Sequence, residues 1–381
     1  MSTEFVNRSD LVEAAHPVGK LAPRRTRQSA RAALAQRVLV VTGQDAASTA
    51  PLISVDTGGL VVAGSDAAKS IKLIRQTHSE MTLLIDPISH CTAATPESPF
   101  DLGSIDGLFA PSVGDFLDGQ IANGASLAVA PSKFIEAGDI PSLKALLTAA
   151  NDIERDDVLV PLPLAAQFMT PEQVRTVIAV AKRIEHPVAI TLGSQTDPLA
   201  SRQRIEAYRQ FFSEVPDAVA WRTDLAGFGA MARGAAAAAI GQLPSLRRIN
   251  EPGRGGRAQR PGESFPHLLV PELMRFARAN VMQENWFASA TPWVCACSVC
   301  GGRAIANFSG SPTDRLAAHK HNAAIIPDLH TAALDEPLGL GAWWVSRLRE
   351  AQVAHVQLSS QTSVKISVPP ELKHWMDVDG A

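Results

Sequence analysis

From about residue 38 the chain alternates short apolar runs with longer amphipathic stretches. The runs are "LISVDTGG" (52–59), "TLLIDP" (82–87), "ASLAVAPS" (125–132), "DVLVPLP" (157–163), "PVAITLG" (187–193), "AVAWRTD" (218–224), "AAAAIGQLPSLRRI" (236–249) and "HLLVPE" (267–272). Between them lie "SLKALLTAANDI", "TPEQVRTVIAVAKRIE" and "SRQRIEAYRQFFSEV". In the first of these, Leu143, Leu146, Leu147 and Ala150 recur at three- and four-residue spacing, as on a helix that covers a sheet. "TPEQ" predicts a helix start, with Thr170 as cap and Pro171 at the first helical position.

Strand then helix, repeated about eight times over roughly 240 residues, predicts parallel strands joined by helical crossovers. The size is that of a (β/α)8 TIM barrel over 38–280. An open doubly wound sheet is the rival. The first strand is followed by no Gly-x-Gly-x-x-Gly, which weakens the dinucleotide-binding form of that fold. After residue 250 the pattern breaks into the Gly/Pro/Arg stretch "EPGRGGRAQRPGESFP". A C-terminal part over 281–381 follows, in which "LGAWWVSRLREAQVAHVQLSS" reads mainly as helix.

In a barrel, chemistry belongs at the C-terminal ends of the strands. The acids read there are Asp56, Asp86 and Asp224, each with the alternative of capping the next helix. Thr57, Gly58 and Gly59 follow Asp56 at the same strand end, Gly193, Ser194 and Arg247 stand at others, and Arg254 and Arg257 lie on the basic loop. Those arginines suit a grip on phosphates, or simply a solvated surface loop.

The 381 residues, 46% hydrophobic and 19% charged, allow a sizeable core. They include no apolar run long enough to cross a bilayer. A net charge of −3 excludes a general attraction to nucleic acid, though not a local basic groove. Residues 1–37 lack an apolar signal region and carry Glu4, Asp10 and Glu13, so they read as a flexible arm with a basic end. Four cysteines without a signal sequence fit the cytoplasm. The apolar "GLGAWWV" is a candidate homodimer contact.

Three of those four cysteines, Cys295, Cys297 and Cys300, fall in "VCACSVCGG". Cys-x-Cys-x-x-Cys offers three thiolates on one turn, and Gly301 and Gly302 let it wrap round an ion. Zinc needs a fourth ligand, which His319, His321 or His330 can supply; four protein ligands make the site structural. A disulfide is disfavoured by compartment, and an iron–sulfur cluster wants a fourth cysteine or a special ligand.

A barrel of this size followed by Cys-x-Cys-x-x-Cys and a later His-Asn resembles the tRNA-guanine transglycosylase family. The resemblance implies a (β/α)8 barrel with a zinc subdomain, and points to His321 of "HKHNAA" as the fourth ligand. "VDTGG" is similar to that family's Asp-Ser-Gly-Gly, which implies Asp56 as general acid/base in a base pocket. "ITLGSQTDPLASRQR" and "AMARGAAAAAIGQLPSLRRINEPGRGG" look like its base-contacting turn and its helix–strand–basic-loop segment.

The implied activity is exchange of guanine for a 7-deazaguanine in tRNA or DNA, through an Asp nucleophile and an Asp acid. The stretch 235–240 carries no carboxylate where that family has its nucleophile. Asp224, with Asp86 in reserve, is therefore the candidate nucleophile. A non-catalytic paralogue that binds nucleic acid or a protein partner, and an unrelated zinc-stapled barrel enzyme, are the alternatives.

Overall fold

The computed structural model describes residues 29–103, 111–254 and 265–380. Eight parallel strands form one sheet: β1 (Arg37–Thr42), β2 (Gly58–Ala63), β3 (Leu83–Asp86), β4 (Ala128–Val129), β5 (Val158–Ala165), β6 (Val188–Gly193), β7 (Val219–Thr223) and β8 (Ala237–Gly241). Their order is β3-β2-β1-β8-β7-β6-β5-β4. The backbone N–H of Ser126, just before β4, donates to Leu83 O at 2.7 Å and nearly closes the ring. The expected TIM-like barrel is what forms.

Alternation along each strand divides the core in two. Leu39, Val41, Val61, Leu84, Val129, Leu159, Ala189, Val219, Trp221, Ala237 and Ala239 pack inside the barrel. Val38, Val40, Leu60, Val62, Val160, Leu162 and Ile190 face outward to the helices. The alanines of β8 are buried on both faces, so small side chains suit the place where the strand is hemmed in. Crossovers are made by α2 (Ala46–Thr49), α3 (Ala67–Thr77), α4 (Val113–Ala122), α5 (Ile140–Asn151), α6 (Val174–Ala181), α7 (Arg202–Glu214) and α8 (Ala226–Met231).

Several expectations are corrected. The first strand is "RVLVVT", which the list of apolar runs omitted, and "HLLVPE" is not a barrel strand at all. It forms β9 (His267–Val270), which pairs antiparallel with β10 (Arg275–Arg278) outside the barrel. "LISV" is not extended; the strand begins only at Gly58. α6 begins at Val174, three residues after Pro171, although Thr170 Oγ1 does accept from Gln173 N at 3.4 Å. The end of the expected N-terminal arm is structured: α1 (Ala30–Leu34) puts Ala30, Ala33 and Leu34 into the bottom of the barrel core. Residues 1–28 lie outside the described residues.

The C-terminal part comprises the short α9 (Ala279–Val281), the hairpin of β11 (Val294–Cys295) and β12 (Arg303–Ala304), and three helices. These are α10 (Pro312–Leu334), α11 (Leu340–Thr362) and α12 (Pro370–Asp379). α10 packs against β1 and β9, so it covers the barrel where, among the described residues, no crossover helix follows β8. Trp343 and Trp344 of "GLGAWWV" are buried within the chain, against Phe228 and Trp375, so these tryptophans are not available to a dimer contact. Among the described residues no helix is long and apolar enough to cross a membrane.

Candidate functional site

Cys295, Cys297, Cys300 and His321 form one cluster, with all four ligand atoms within 4.8 Å of one another. The turn that places the sulfurs is closed by Gly301 N to Cys297 O (3.0 Å) and Gly302 N to Cys295 O (2.9 Å). Both glycines take positive φ, +55° and +93°, where a side chain is strained. His321 Nδ1 faces the three sulfurs at 3.5, 3.5 and 3.3 Å. Its Nε2 lies 2.8 Å from Leu269 O, which makes Nε2 the protonated nitrogen and leaves the Nδ1 lone pair toward the cluster. The donor set fits a tetrahedral metal ion. Of the three candidate histidines, His319 instead meets Asp45 at 2.8 Å, and His330 is buried elsewhere in α10.

The "DTGG" motif does not reach the mouth of the barrel. Asp56 and Thr57 lie in a turn before β2, at its N-terminal end, opposite the strand ends where barrel chemistry sits. The glycines answer a packing need. A Cβ on Gly58 would lie 2.8 Å from Ser54 O, and one on Gly59 2.6 Å from Thr82 O. Arg37 secures the turn, donating to Val55 O at 2.9 Å and Gly58 O at 2.8 Å. The strand was placed too early in the sequence, and that reversed the end of the barrel to which Asp56 belongs.

Asp86 does end its strand at the C-terminal side, but it is occupied. Arg222 Nε donates to it at 2.5 Å across the barrel mouth, with both side chains about 5% exposed or less. Burial raises the Asp86 pKa, and Arg222, His90 and the Ile88 N–H outweigh that, so the group is held below the usual carboxylate range. The neighbouring His90 is pushed down to about 4 by burial and by Arg222, and is neutral at pH 7. Arg222 takes φ +47° at a register shift of β7, a costly conformation for a side chain of this size. Trp221, Pro161 and Pro163 crowd the same narrow mouth.

Gly193 and Ser194 end β6. Gly193 has Phe134 within 2.4 Å of where a Cβ would stand, and Ser194 N donates to Ile249 O, so both are used in packing. Arg254 pairs with Glu251 at 2.9 Å on the surface. Arg257 lies outside the described residues.

A cavity of about 330 Å³ lies off the barrel axis, where the turns after β6, β7 and β8 meet β9–β10, α11 and α12. Asp224 lines it, and so does Asp197 in the turn after β6. Asp197 was not singled out from sequence because it stands four residues beyond its strand, inside a loop. Burial, then the charge of Asp224, raises the Asp197 pKa to about 7; Leu199 N and Arg248 act against the rise. Each acid also caps its own turn, Asp197 from Leu199 N and Asp224 from Ala226 N, both at 2.9 Å.

Opposite stand Arg247, Arg248, His267 and Arg275, with Glu371 nearby. Arg247 donates to Gly241 O (3.0 Å) and Gln242 O (3.2 Å), and its guanidinium lies over Phe276. His267 is lowered to about 4 by burial and by Arg247 and its cationic neighbours. Two carboxylates in the turns after neighbouring barrel strands, one of them with a raised pKa, can divide nucleophile and acid between them.

No protein-family model matches the chain, and no curated protein matches it in sequence.

Proposed function

We propose that the protein exchanges the base of a guanine glycoside, in the manner of a tRNA-guanine transglycosylase, with Asp224 and Asp197 as its working acids. The observation that carries this is the pair itself: two carboxylates in one cavity at the C-terminal ends of β6 and β7, one of them raised to about 7. In this reading the Asp224 carboxylate attacks the sugar C1′. The C1′–N bond breaks with its electron pair passing to the base, and the Asp197 carboxyl supplies the proton. A second base then gives a proton back to Asp197, attacks C1′ and releases Asp224. Asp56, on the far end of the barrel, takes no part. Asp86, neutralised by Arg222, supports the barrel mouth.

The Cys295, Cys297, Cys300 and His321 set would hold a structural zinc ion, since three thiolates and an imidazole complete its tetrahedron. That ion would anchor α10, which packs on β9, the strand that lines the cavity through His267, and would take no part in bond-making.

One observation favours a second reading, a nucleic-acid- or partner-binding paralogue. β8 carries no carboxylate, and the axial mouth is filled by Trp221 and the Asp86–Arg222 pair. Incubation with labelled guanine and tRNA, DNA or a free guanine glycoside separates the two. Label entering any of them, and lost on Asp197→Asn and on Asp224→Asn, supports exchange. No label in any of them leaves the binding reading.

A further inference from the structure

The cavity of Asp197 and Asp224 also constrains what carries the base, an inference that rests on the functional reading above. Its lining holds three guanidiniums, Arg247, Arg248 and Arg275, against the carboxylates Asp224 and Glu371 and the partly protonated Asp197. Arg247 is committed to Gly241 O, Gln242 O and the Phe276 ring. Arg248 is not: among the described residues it makes no hydrogen bond or ion pair, although its charge is felt by Asp197, Arg247 and His267. Arg275 donates from one terminal nitrogen to Ser367 O at 3.4 Å, keeps its Nε without a partner, and its head lies 5.3 Å over Trp286. Cationic groups in such a walled cavity, beside a histidine that Arg247 and Arg248 help keep neutral, favour an anion of compact size.

The cavity is also walled. α12 contributes Glu371, Leu372 and Trp375 to its outer side. Asp379 at the end of α12 has a fully buried side chain, bound by Arg209 at 2.8 Å, by Arg233 and by Trp344 Nε1 at 2.9 Å. Trp375 packs so closely on Gly229 that a Cβ there would come within 2.6 Å of the ring. A polynucleotide needs a groove that runs on at both ends. This wall closes one side, and about 330 Å³ lies at the small end of sites that take small molecules. Trp344, Trp375 and Phe276 add aromatic surface to the lining.

We propose that the cavity binds a nucleoside monophosphate, with the phosphomonoester on Arg248 and Arg275, rather than a residue within a nucleic-acid strand. The shared chemistry is a sugar phosphate, and the base distinguishes the nucleotide from a bare sugar phosphate.

The test is equilibrium binding to the full chain of four probes: guanosine 5′-monophosphate, guanosine, ribose 5-phosphate and a twelve-nucleotide single strand. Guanosine 5′-monophosphate should bind at least about tenfold more tightly than guanosine and than ribose 5-phosphate, since loss of a charge-assisted contact or of a stacked base is worth that much. The strand should not displace it. Arg248→Ala should weaken the monophosphate about tenfold or more and leave guanosine unchanged, with an unaltered melting temperature. Equal binding of guanosine, tighter binding of ribose 5-phosphate, displacement by the strand, or an indifferent Arg248→Ala would each overturn the proposal. Binding as expected without base exchange overturns only the catalytic reading. Exchange confined to polymeric substrate overturns only this inference.

Discussion

His321 and Leu269 tie the cysteine cluster to the barrel: Nε2 of the ring donates to the Leu269 carbonyl at 2.8 Å while Nδ1 faces three sulfurs. The next residue repeats the link. Asn322 Oδ1 accepts from Leu269 N at 2.7 Å, and its Nδ2 donates to His267 O at 2.8 Å and Gln242 O at 3.0 Å. The His-Asn pair thus joins α10, β9 and the end of β8 through adjacent side chains, one of which is aimed at the three sulfurs.

Metal content follows from this arrangement. The purified chain should carry one zinc ion per molecule by elemental analysis. His321→Ala should lose it and lower the melting temperature, because a structural ion contributes to folding directly. His319→Ala and His330→Ala should keep it.

Asn322→Ala should be costly for a different reason. It strands one buried donor and two acceptors, each worth about 1–3 kcal/mol when left unpaired. Denaturant unfolding should show a loss of about 2 kcal/mol or more with metal still bound.

The Asp86–Arg222 pair predicts a strong asymmetry between breaking and replacing it. Arg222→Ala leaves a buried carboxylate alone and should cost about 3–5 kcal/mol, whereas Asp86→Asn paired with Arg222→Met should recover most of that. Because the Asp86 pKa is lowered in the folded chain, the unfolded chain binds the proton first as pH falls. The contribution of Asp86 is present above the ordinary carboxylate range and is lost as pH drops through its folded value. The wild type should lose stability on acidification more steeply than the double variant.

Asp197 carries the opposite sign. Its folded pKa is raised to about 7, so between the ordinary carboxylate value and 7 the folded chain holds the extra proton. Stability from this group falls as pH rises through that window. Asp197→Asn should therefore melt higher than wild type at pH 8, with the gain shrinking toward pH 4. An equal gain at both pH values would contradict the raised value.

How much of this was legible in the chain varied with the kind of signal. The repeat of apolar run and amphipathic stretch specified the barrel because period-two and period-3.6 patterns are what the layers bury. The count of eight nonetheless came from one missed strand, "RVLVVT", and one false one, "HLLVPE", whose residues are equally apolar. The cysteine turn was readable because its chemistry is local. Asp56 was misplaced because "LISV" has strand-like residues yet folds as a 3-10 turn and loop, which put the motif at the wrong end of β2. The cavity was not readable at all. Its walls come from the turns after β6, β7 and β8 and from β9–β10, α11 and α12, and only folding brings Asp197, Arg248 and Trp375 together.

The central claim is that Asp224 is the nucleophile of this cavity, and intact-mass analysis after acid quench tests it most directly. Wild-type protein mixed with a guanine glycoside should gain the mass of one glycosyl group, mapped to the peptide that contains Asp224. Asp56→Asn should gain it too, and Asp224→Asn should not. An adduct that survives Asp224→Asn, maps to another residue, or never forms on any guanine glycoside would contradict the account.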